Sequence, residues 1–136
     1  MNDAWGTIYR TMQGEADGSG PVCGARPSQL GVRPAVDVRV DRTSFVRLQE
    51  NERRGLSVAP APAALPPAYR PRGLHAGESV LPCWRLEVSS LSDIDGVHLV
   101  RTKPNHGVIA TREDAHIDVF QRRLCQTKDR WEPWGR

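Results

Sequence analysis

Glycine and proline occur so often in this sequence that only one segment, near its C-terminal end, is convincingly helical. Among the 136 residues are 12 glycines and 11 prolines, and both residue types interrupt helices and central strands. Residues 13–34 and 60–73 are rich in them and show no hydrophobic periodicity. We therefore expect a long surface loop over residues 13–34, an extended surface segment over residues 60–73, and short strands elsewhere.

Alternation of apolar and polar residues predicts about six short strands. They are expected at residues 5–12, 36–40, 56–59, 84–88, 97–101 and 107–111. Residues 45–48 are expected to pair with residues 36–40 across the turn between them. Strands this short and this widely interrupted are typical of a mainly antiparallel sheet.

An amphipathic helix is predicted after the last strand. Ile117, Phe120 and Leu124 recur at the spacing of one helical face. Thr111 is the expected N-cap, and Glu113 would lie in the first turn, where the helix dipole favours a carboxylate. Short strands followed by one late helix indicate an α+β fold.

Composition and charge limit the possible classes of protein. With 38% hydrophobic and 26% charged residues, the chain is predicted to form a single folded domain over residues 1–136. The formal charge of +3 is small, and the arginines are dispersed without stacking aromatics among them, so a nucleic-acid partner is not expected. The sequence has neither a long apolar run nor a signal-peptide pattern, so we expect a soluble protein with no membrane partner.

The cysteines and histidines do not indicate a metal site. Cys23, Cys83 and Cys125 are widely spaced and form no C-x-x-C pair, so neither a disulfide framework nor a zinc site is expected. A reducing compartment fits this pattern, with Cys83 and Cys125 as small core residues. The histidines also lack metal-ligand spacing, and these are His75, His98, His106 and His116.

Arg10 is the most informative charged residue. On the first predicted strand it shares a face with Ile8 and Met12, so its guanidinium would be partly desolvated. A desolvated guanidinium is tolerated chiefly when it binds a carboxylate or a phosphate. Two interpretations therefore stay open, a ligand contact and a structural ion pair with Asp37 or Glu87.

Ser57 and His106 are the other polar candidates. Gly55 precedes Ser57 by two positions, so a glycine bend could bring the backbone and the hydroxyl close to a ligand. The segment lacks the second glycine of a G-x-S-x-G elbow, which argues against a hydrolase nucleophile and leaves a structural strand serine as the alternative. His106 lies in a turn-like Pro-Asn-His-Gly stretch, where it is either functional or an exposed turn residue.

Three motifs occur in a fixed order along the chain: Ile8-Tyr9-Arg10, then Gly55-Leu56-Ser57-Val58, then His106-Gly107-Val108-Ile109 ahead of the helix and Trp131. Two further segments of the pattern lie between them, Arg33-Pro34-Ala35-Val36-Asp37-Val38 and Leu65-Pro66. This ordered pattern resembles the small ADP-ribosyltransferase-like toxins of bacterial competition, among them an effector delivered by type VI secretion systems. The resemblance implies a split antiparallel sheet of the ADP-ribosyltransferase type that holds NAD in a cleft.

The resemblance also assigns roles to individual residues. The implied NAD-binding residues are Tyr9, Arg10, Gly55, Ser57 and Val58. The implied catalytic residues are Arg10, Ser57, His106 and Glu113. Glu113 is the candidate for the carboxylate that stabilises the oxocarbenium-like ribose as nicotinamide leaves.

The function implied by the resemblance is that of a bacterial toxin. It would modify a macromolecular target in the cytoplasm, would be neutralised by a protein antitoxin or immunity protein, and could enter another bacterial cell without a cleavable signal peptide. Two alternatives stay open. One is an inert binding module that uses residues 60–73 and an exposed tip at residues 131–134, which would otherwise pack against the sheet. The other is a small ribonuclease toxin that uses His106.

Overall fold

The computed structural model describes residues 5–74 and 76–135, which form a small α+β domain. His75 lies outside the described residues. The strands are β1 (Thr7–Thr11), β2 (Phe45–Val46), β3 (Leu56–Val58), β4 (Cys83–Glu87), β5 (Val97–Lys103), β6 (His106–Thr111), β7 (Ala115–His116) and β8 (Glu132–Trp134). The helix α1 (Ile117–Cys125) follows β7, and short 3₁₀ turns lie at Leu48–Glu50, Pro62–Ala64, Val88–Asp93 and Lys128–Arg130.

All pairings between these strands are antiparallel. One sheet has the order β1-β4-β8, a second has the order β3-β6-β5, and β2 pairs with β7. The two larger sheets meet where Tyr9 and Ala59 exchange backbone hydrogen bonds of 2.8 and 3.0 Å. The predicted α+β class with mainly antiparallel sheets and a helix near the C-terminal end is confirmed.

The core lies between the sheets and the helix. Ile8 and Leu86 face each other across β1 and β4 and are fully buried. Phe120 and Leu124 of α1 are also fully buried, and Ile117 packs against the same cluster. The predicted apolar face of the helix is therefore confirmed, and its burial anchors α1 on the sheets.

The strand predicted at residues 36–40 is wrong. Residues 33–37 form a turn in which the amides of Val36 and Asp37 both donate to the carbonyl of Arg33. The Asp37 carboxylate closes this turn, because it accepts from the backbone amide and the guanidinium of Arg33. Val36 is 57% exposed, so the alternation of valines does not mark a sheet face here. The expected pairing of residues 45–48 with this segment is also wrong, since β2 pairs with β7.

The helix begins later than predicted. Thr111 is fully buried at the end of β6 and is paired with Val97, so it cannot act as the N-cap. His116 caps the helix instead, and its Nδ1 accepts from the amide of Asp118 at 3.1 Å. Glu113 consequently lies in the connection before β7 rather than in a helical turn.

The expectation that no disulfide forms is wrong, and so is the prediction of Cys125 as a small unpaired core residue. Cys23 and Cys125 form a disulfide that joins residues 102 positions apart in the chain. Cys83 is buried and unpaired, as predicted. Disulfides persist in oxidising surroundings, so the inference of a reducing compartment, which rested on unpaired cysteines, no longer stands.

The tryptophans near the C-terminal end pack against the sheet rather than forming an exposed tip. Trp131 is 4% exposed, and its Nε1 donates to Thr127 Oγ1 at 2.9 Å. The Trp134 ring contacts the edge of Tyr9, with 6.4 Å between ring centroids. Residues 60–73 are not fully extended, since they contain a 3₁₀ turn and bury Leu65.

Candidate functional site

A cleft lies beside the contact between Tyr9 and Ala59. It is lined by residues of β1 and β3, by the loop that contains Pro27 and Arg33, by the proline-rich segment, and by the turn that precedes β6. Its volume of about 160 Å³ is below the roughly 300–1,000 Å³ of pockets that enclose a drug-sized ligand. A dinucleotide would therefore be enclosed only in part.

Arg10 extends from β1 into this cleft, and backbone carbonyls hold its guanidinium. Nη1 donates to the carbonyl of Ser57, and Nη2 donates to the carbonyls of Pro27 and Gln29, each at 3.0 Å. Nε is buried and has no hydrogen-bond partner. The guanidinium is therefore held by two segments that are distant in sequence, β3 and the loop with Pro27 and Gln29, while one of its donors stays unsatisfied.

The charge of Arg10 is not neutralised by a carboxylate at contact distance. Neither ion pair considered from the sequence forms, because Asp37 pairs with Arg33 and Glu87 accepts from Thr7. Burial lowers the pKa of Arg10 to about 10, and the attraction of Asp37 offsets only part of this effect. Arg10 is thus a desolvated cation at neutral pH, which an anionic ligand would stabilise.

The carboxylate of this cleft belongs to Asp37. Its side chain is 18% exposed and is bound in a fork by Arg33, with Nη2 at 3.0 Å from Oδ1 and Nε at 3.2 Å from Oδ2. The hydrogen bond to Asp37 raises the pKa of Arg33. The sequence predicted Asp37 as a possible ion-pair partner of Arg10 and as part of the segment 33–38 of the resemblance, but gave it no role in the cleft. Its position in that segment was the signal that could have identified it.

His106 lies at the start of β6 and also lines the cleft. Burial lowers the pKa of its imidazole, and the nearby charge of Lys103 lowers it further. Thr102 Oγ1 lies 2.6 Å from Nδ1 and donates to the carbonyl of His106 at 3.1 Å. Since a hydroxyl carries one proton, Thr102 can donate to only one of these two atoms at a time.

Ser57 and Val58 bring β3 to the cleft. Ser57 is exposed between two buried neighbours, and its carbonyl accepts from Arg10. Val58 is 1% exposed and contributes to the apolar side of the cleft with Ala59 and Leu65. Arg10, Ser57 and His106 all line this one cleft, while their functional roles stay predictions.

Three candidate residues lie outside the cleft lining. Glu113 binds Arg123 at 2.9 Å. It lies past the end of β6 that is opposite to His106, and β6 itself is about 16 Å long at about 3.3 Å per residue. Tyr9 projects from the other face of β1 and packs on Trp134. Gly55 is buried against β6, where an added Cβ would lie 2.1 Å from the carbonyl oxygen of Ile109. The absence of a side chain at Gly55 therefore allows β3 and β6 to pack closely.

The resulting cleft combines an apolar side with convergent polar groups. It presents two guanidiniums, one carboxylate and one imidazole whose pKa is lowered. Such a set can bind an anion, face a developing positive charge and accept a proton. In residues 5–74 and 76–135, no three His, Cys, Asp or Glu side chains cluster closely enough to hold a metal ion.

Comparison of the chain with models of protein families, with curated proteins and with solved structures finds no match in any of the three. Within the described part of the chain, no helix has the length and apolar character needed to cross a membrane. The cleft geometry therefore carries the functional argument.

Proposed function

We propose that the cleft binds NAD and that the protein is an ADP-ribosyltransferase of the bacterial toxin type. The observation that carries this proposal is the meeting of Arg10, Ser57 and His106, from three distant segments, at one cleft that also holds a carboxylate. The order of the three motifs in the sequence and the two antiparallel sheets that meet at the cleft support an ADP-ribosyltransferase-like fold. The small volume favours enclosure of one part of the dinucleotide.

The proposed reaction assigns a role to each polar group. The bond between C1′ of the ribose and nicotinamide breaks, and its electron pair leaves with nicotinamide. Asp37 faces the positive charge that develops on the ribose, and Arg10 binds phosphate or ribose oxygens. A nucleophile of the target then forms a bond to C1′ and loses its proton, which the imidazole of His106 accepts.

Calorimetric titration with NAD tests binding, and release of nicotinamide tests chemistry. We expect Arg10→Ala to abolish measurable binding, because the desolvated cation is the main anion contact. Asp37→Asn should slow nicotinamide release by about 10²–10³-fold. Glu113→Gln is the matched control, since this carboxylate lies outside the cleft lining. An equal loss in Asp37→Asn and Glu113→Gln would contradict the assignment.

The toxin aspect can be tested in cells. Inducible expression of the chain in a bacterial host should arrest growth, and Arg10→Ala should relieve the arrest while the protein accumulates to the same level. Harmless expression of the wild-type chain would instead favour an inert binding module. A protein antitoxin would be identified by its ability to restore growth in the same assay.

One observation favours a second candidate, cleavage of RNA. The imidazole of His106 has a lowered pKa and lies in the same cleft as Arg10 and Arg33, and such a set can cleave phosphodiesters by general acid–base catalysis. Incubation of RNA with the protein in the absence of NAD separates the two functions. Degradation that His106→Gln removes would support the nuclease, and intact RNA would exclude it.

A further inference from the structure

The loop beneath Arg10 contributes two of its three hydrogen-bond acceptors. The carbonyls of Pro27 and Gln29 both accept from Nη2. Backbone hydrogen bonds also hold the loop, since the amide of Gln13 donates to the carbonyl of Ser28 at 2.7 Å and the amide of Leu30 donates to the carbonyl of Val22 at 2.8 Å. The orientation of the guanidinium therefore depends on how firmly the ends of this loop are held.

The helix α1 anchors both ends of the loop. At the first end, the Cys23–Cys125 disulfide bonds the loop covalently to the last residue of α1. At the second end, Gln121 accepts from the amide of Val32 at 2.9 Å and donates to its carbonyl at 2.6 Å. Val32 is fully buried, so this second anchor also has support from the core. At the first end of the loop, the Cys23–Cys125 disulfide holds the loop to α1.

The disulfide is accessible to solvent-borne reagents. Cys23 and Cys125 are both only partly buried, and both line a surface depression of about 440 Å³ together with Gly24 and Arg122. This depression gives a small dithiol a route towards the disulfide in the folded domain. This separates the pair from Cys83, which is buried in a different cluster.

We propose that the Cys23–Cys125 disulfide positions Arg10 and makes ligand binding in the cleft dependent on redox state; the regulatory part of this inference rests on the proposed NAD-binding function. A dithiol, such as dithiothreitol or a thioredoxin-like protein, supplies two electrons and two protons. The protein disulfide becomes two thiols, and the dithiol becomes a disulfide. The first end of the loop is then released from α1, and the carbonyls of Pro27 and Gln29 no longer hold Nη2 in one place.

The contacts that remain after reduction define the expected size of the effect. Leu30 and Val32 stay buried and Gln121 stays bonded, so the loop keeps its second end and the domain keeps its core. Binding should therefore weaken rather than vanish. We expect at least about a fivefold loss of NAD affinity, the lower end of common couplings between sites.

The experiment compares four forms of the full chain by calorimetric titration with NAD. These are the oxidised wild type, the wild type reduced with dithiothreitol, Cys23→Ala/Cys125→Ala, and Cys83→Ala. The reduced protein and the double variant should bind equally weakly, and dithiothreitol should have no further effect on the double variant. Cys83→Ala should bind like the oxidised wild type and should keep its response to the reductant. Far-UV circular dichroism checks that each form is folded.

A second readout does not require NAD. The Nε–H proton of Arg10 is buried in the oxidised protein, and its exchange with water can be followed by nuclear magnetic resonance with labelled arginine. Reduction should accelerate this exchange while amides of β6 stay protected. Unchanged exchange and unchanged affinity in a folded, reduced protein would overturn the inference. If no form binds NAD, the proposed function fails, and the exchange of Arg10 still decides whether the disulfide positions it.

Discussion

Arg10 of β1 donates to the backbone carbonyl of Ser57 of β3 at 3.0 Å, across the point where the two main sheets meet. The backbone pairing of Tyr9 with Ala59 lies directly beside this contact. One guanidinium therefore links the sheets and also lines the cleft between them. A substitution of Arg10 is expected to affect both stability and ligand binding for this reason.

Arg10→Ala should lower the free energy of unfolding. The change removes three hydrogen bonds, to the carbonyls of Ser57, Pro27 and Gln29, of which only the one to Gln29 is partly buried, and an intramolecular hydrogen bond contributes about 0.5–1.5 kcal/mol. Arg10→Lys should be intermediate, because an ammonium keeps the charge and lacks the planar fork. Urea unfolding measures the change, with the exposed Arg39→Ala as control. Equal unfolding midpoints for Arg10→Ala and Arg39→Ala would show that these carbonyls do not depend on Arg10.

Acidification should destabilise the protein through His106. Burial lowers the pKa of this imidazole in the folded chain, so below about pH 6.5 the unfolded chain binds a proton that the folded chain resists. The contribution of His106 to the free energy of unfolding is fully present above about pH 6.5. It is lost as the pH falls through the lowered pKa of the folded state. Melting temperatures between pH 8 and pH 5 should therefore decline less steeply for His106→Gln than for the wild type.

His98 supplies the control for this pH dependence. Its pKa is also lowered, first by burial and then by the charge of Arg112, and it does not line the cleft. His98→Gln should flatten the same decline without changing NAD binding, whereas His106→Gln should change both. A pH profile identical to that of the wild type in His106→Gln would remove His106 as a source of acid sensitivity.

Local hydrophobic patterns identified most of the regular structure from the sequence. Alternation located β1, β3, β4, β5 and β6 within one or two residues, although β6 is buried on both faces from Gly107 to Thr111. The apolar spacing of Ile117, Phe120 and Leu124 located the helical face. The same rule failed at residues 36–40, where a side-chain bond from Asp37 to Arg33 stabilises a turn. Alternation alone does not detect such local competition.

The candidate site was only partly predictable for a related reason. The alternation in β1 correctly predicted that Arg10 shares a face with buried residues. The order of the motifs suggested that Ser57 and His106 lie at the same cleft, and both line it. The cleft carboxylate depends on the turn at Asp37, and the link to Cys125 depends on tertiary contact between distant segments. The disulfide has no local sequence signature, since three cysteines do not reveal their pairing. The turn that brings Asp37 to the cleft was likewise not recognised from the sequence.

Gly55→Ala should weaken the sheet that carries Ser57. A Cβ at this position would lie 2.1 Å from the carbonyl oxygen of Ile109, so β3 would have to move away from β6. Overpacking of this kind typically costs about 1–3 kcal/mol, which urea unfolding would detect. Gly6→Ala is the matched control, because a Cβ there would meet nothing within 4 Å. The proposed packing role fails if both variants unfold at the same urea concentration.

Reduction of the disulfide should lower stability more than any of these single substitutions. The bond closes a segment of 102 residues, and removal of a crosslink over a loop of this length costs about 4–5 kcal/mol in the chain-entropy model. The loss of stability arises largely because the unfolded chain gains conformational freedom without the crosslink. Cys23→Ala/Cys125→Ala also lacks the crosslink, so its free energy of unfolding should match that of the reduced wild type. Urea unfolding at low temperature, with and without dithiothreitol, measures the difference. Cys83→Ala should retain the full response to the reductant, and its loss in that variant would contradict the Cys23–Cys125 pairing.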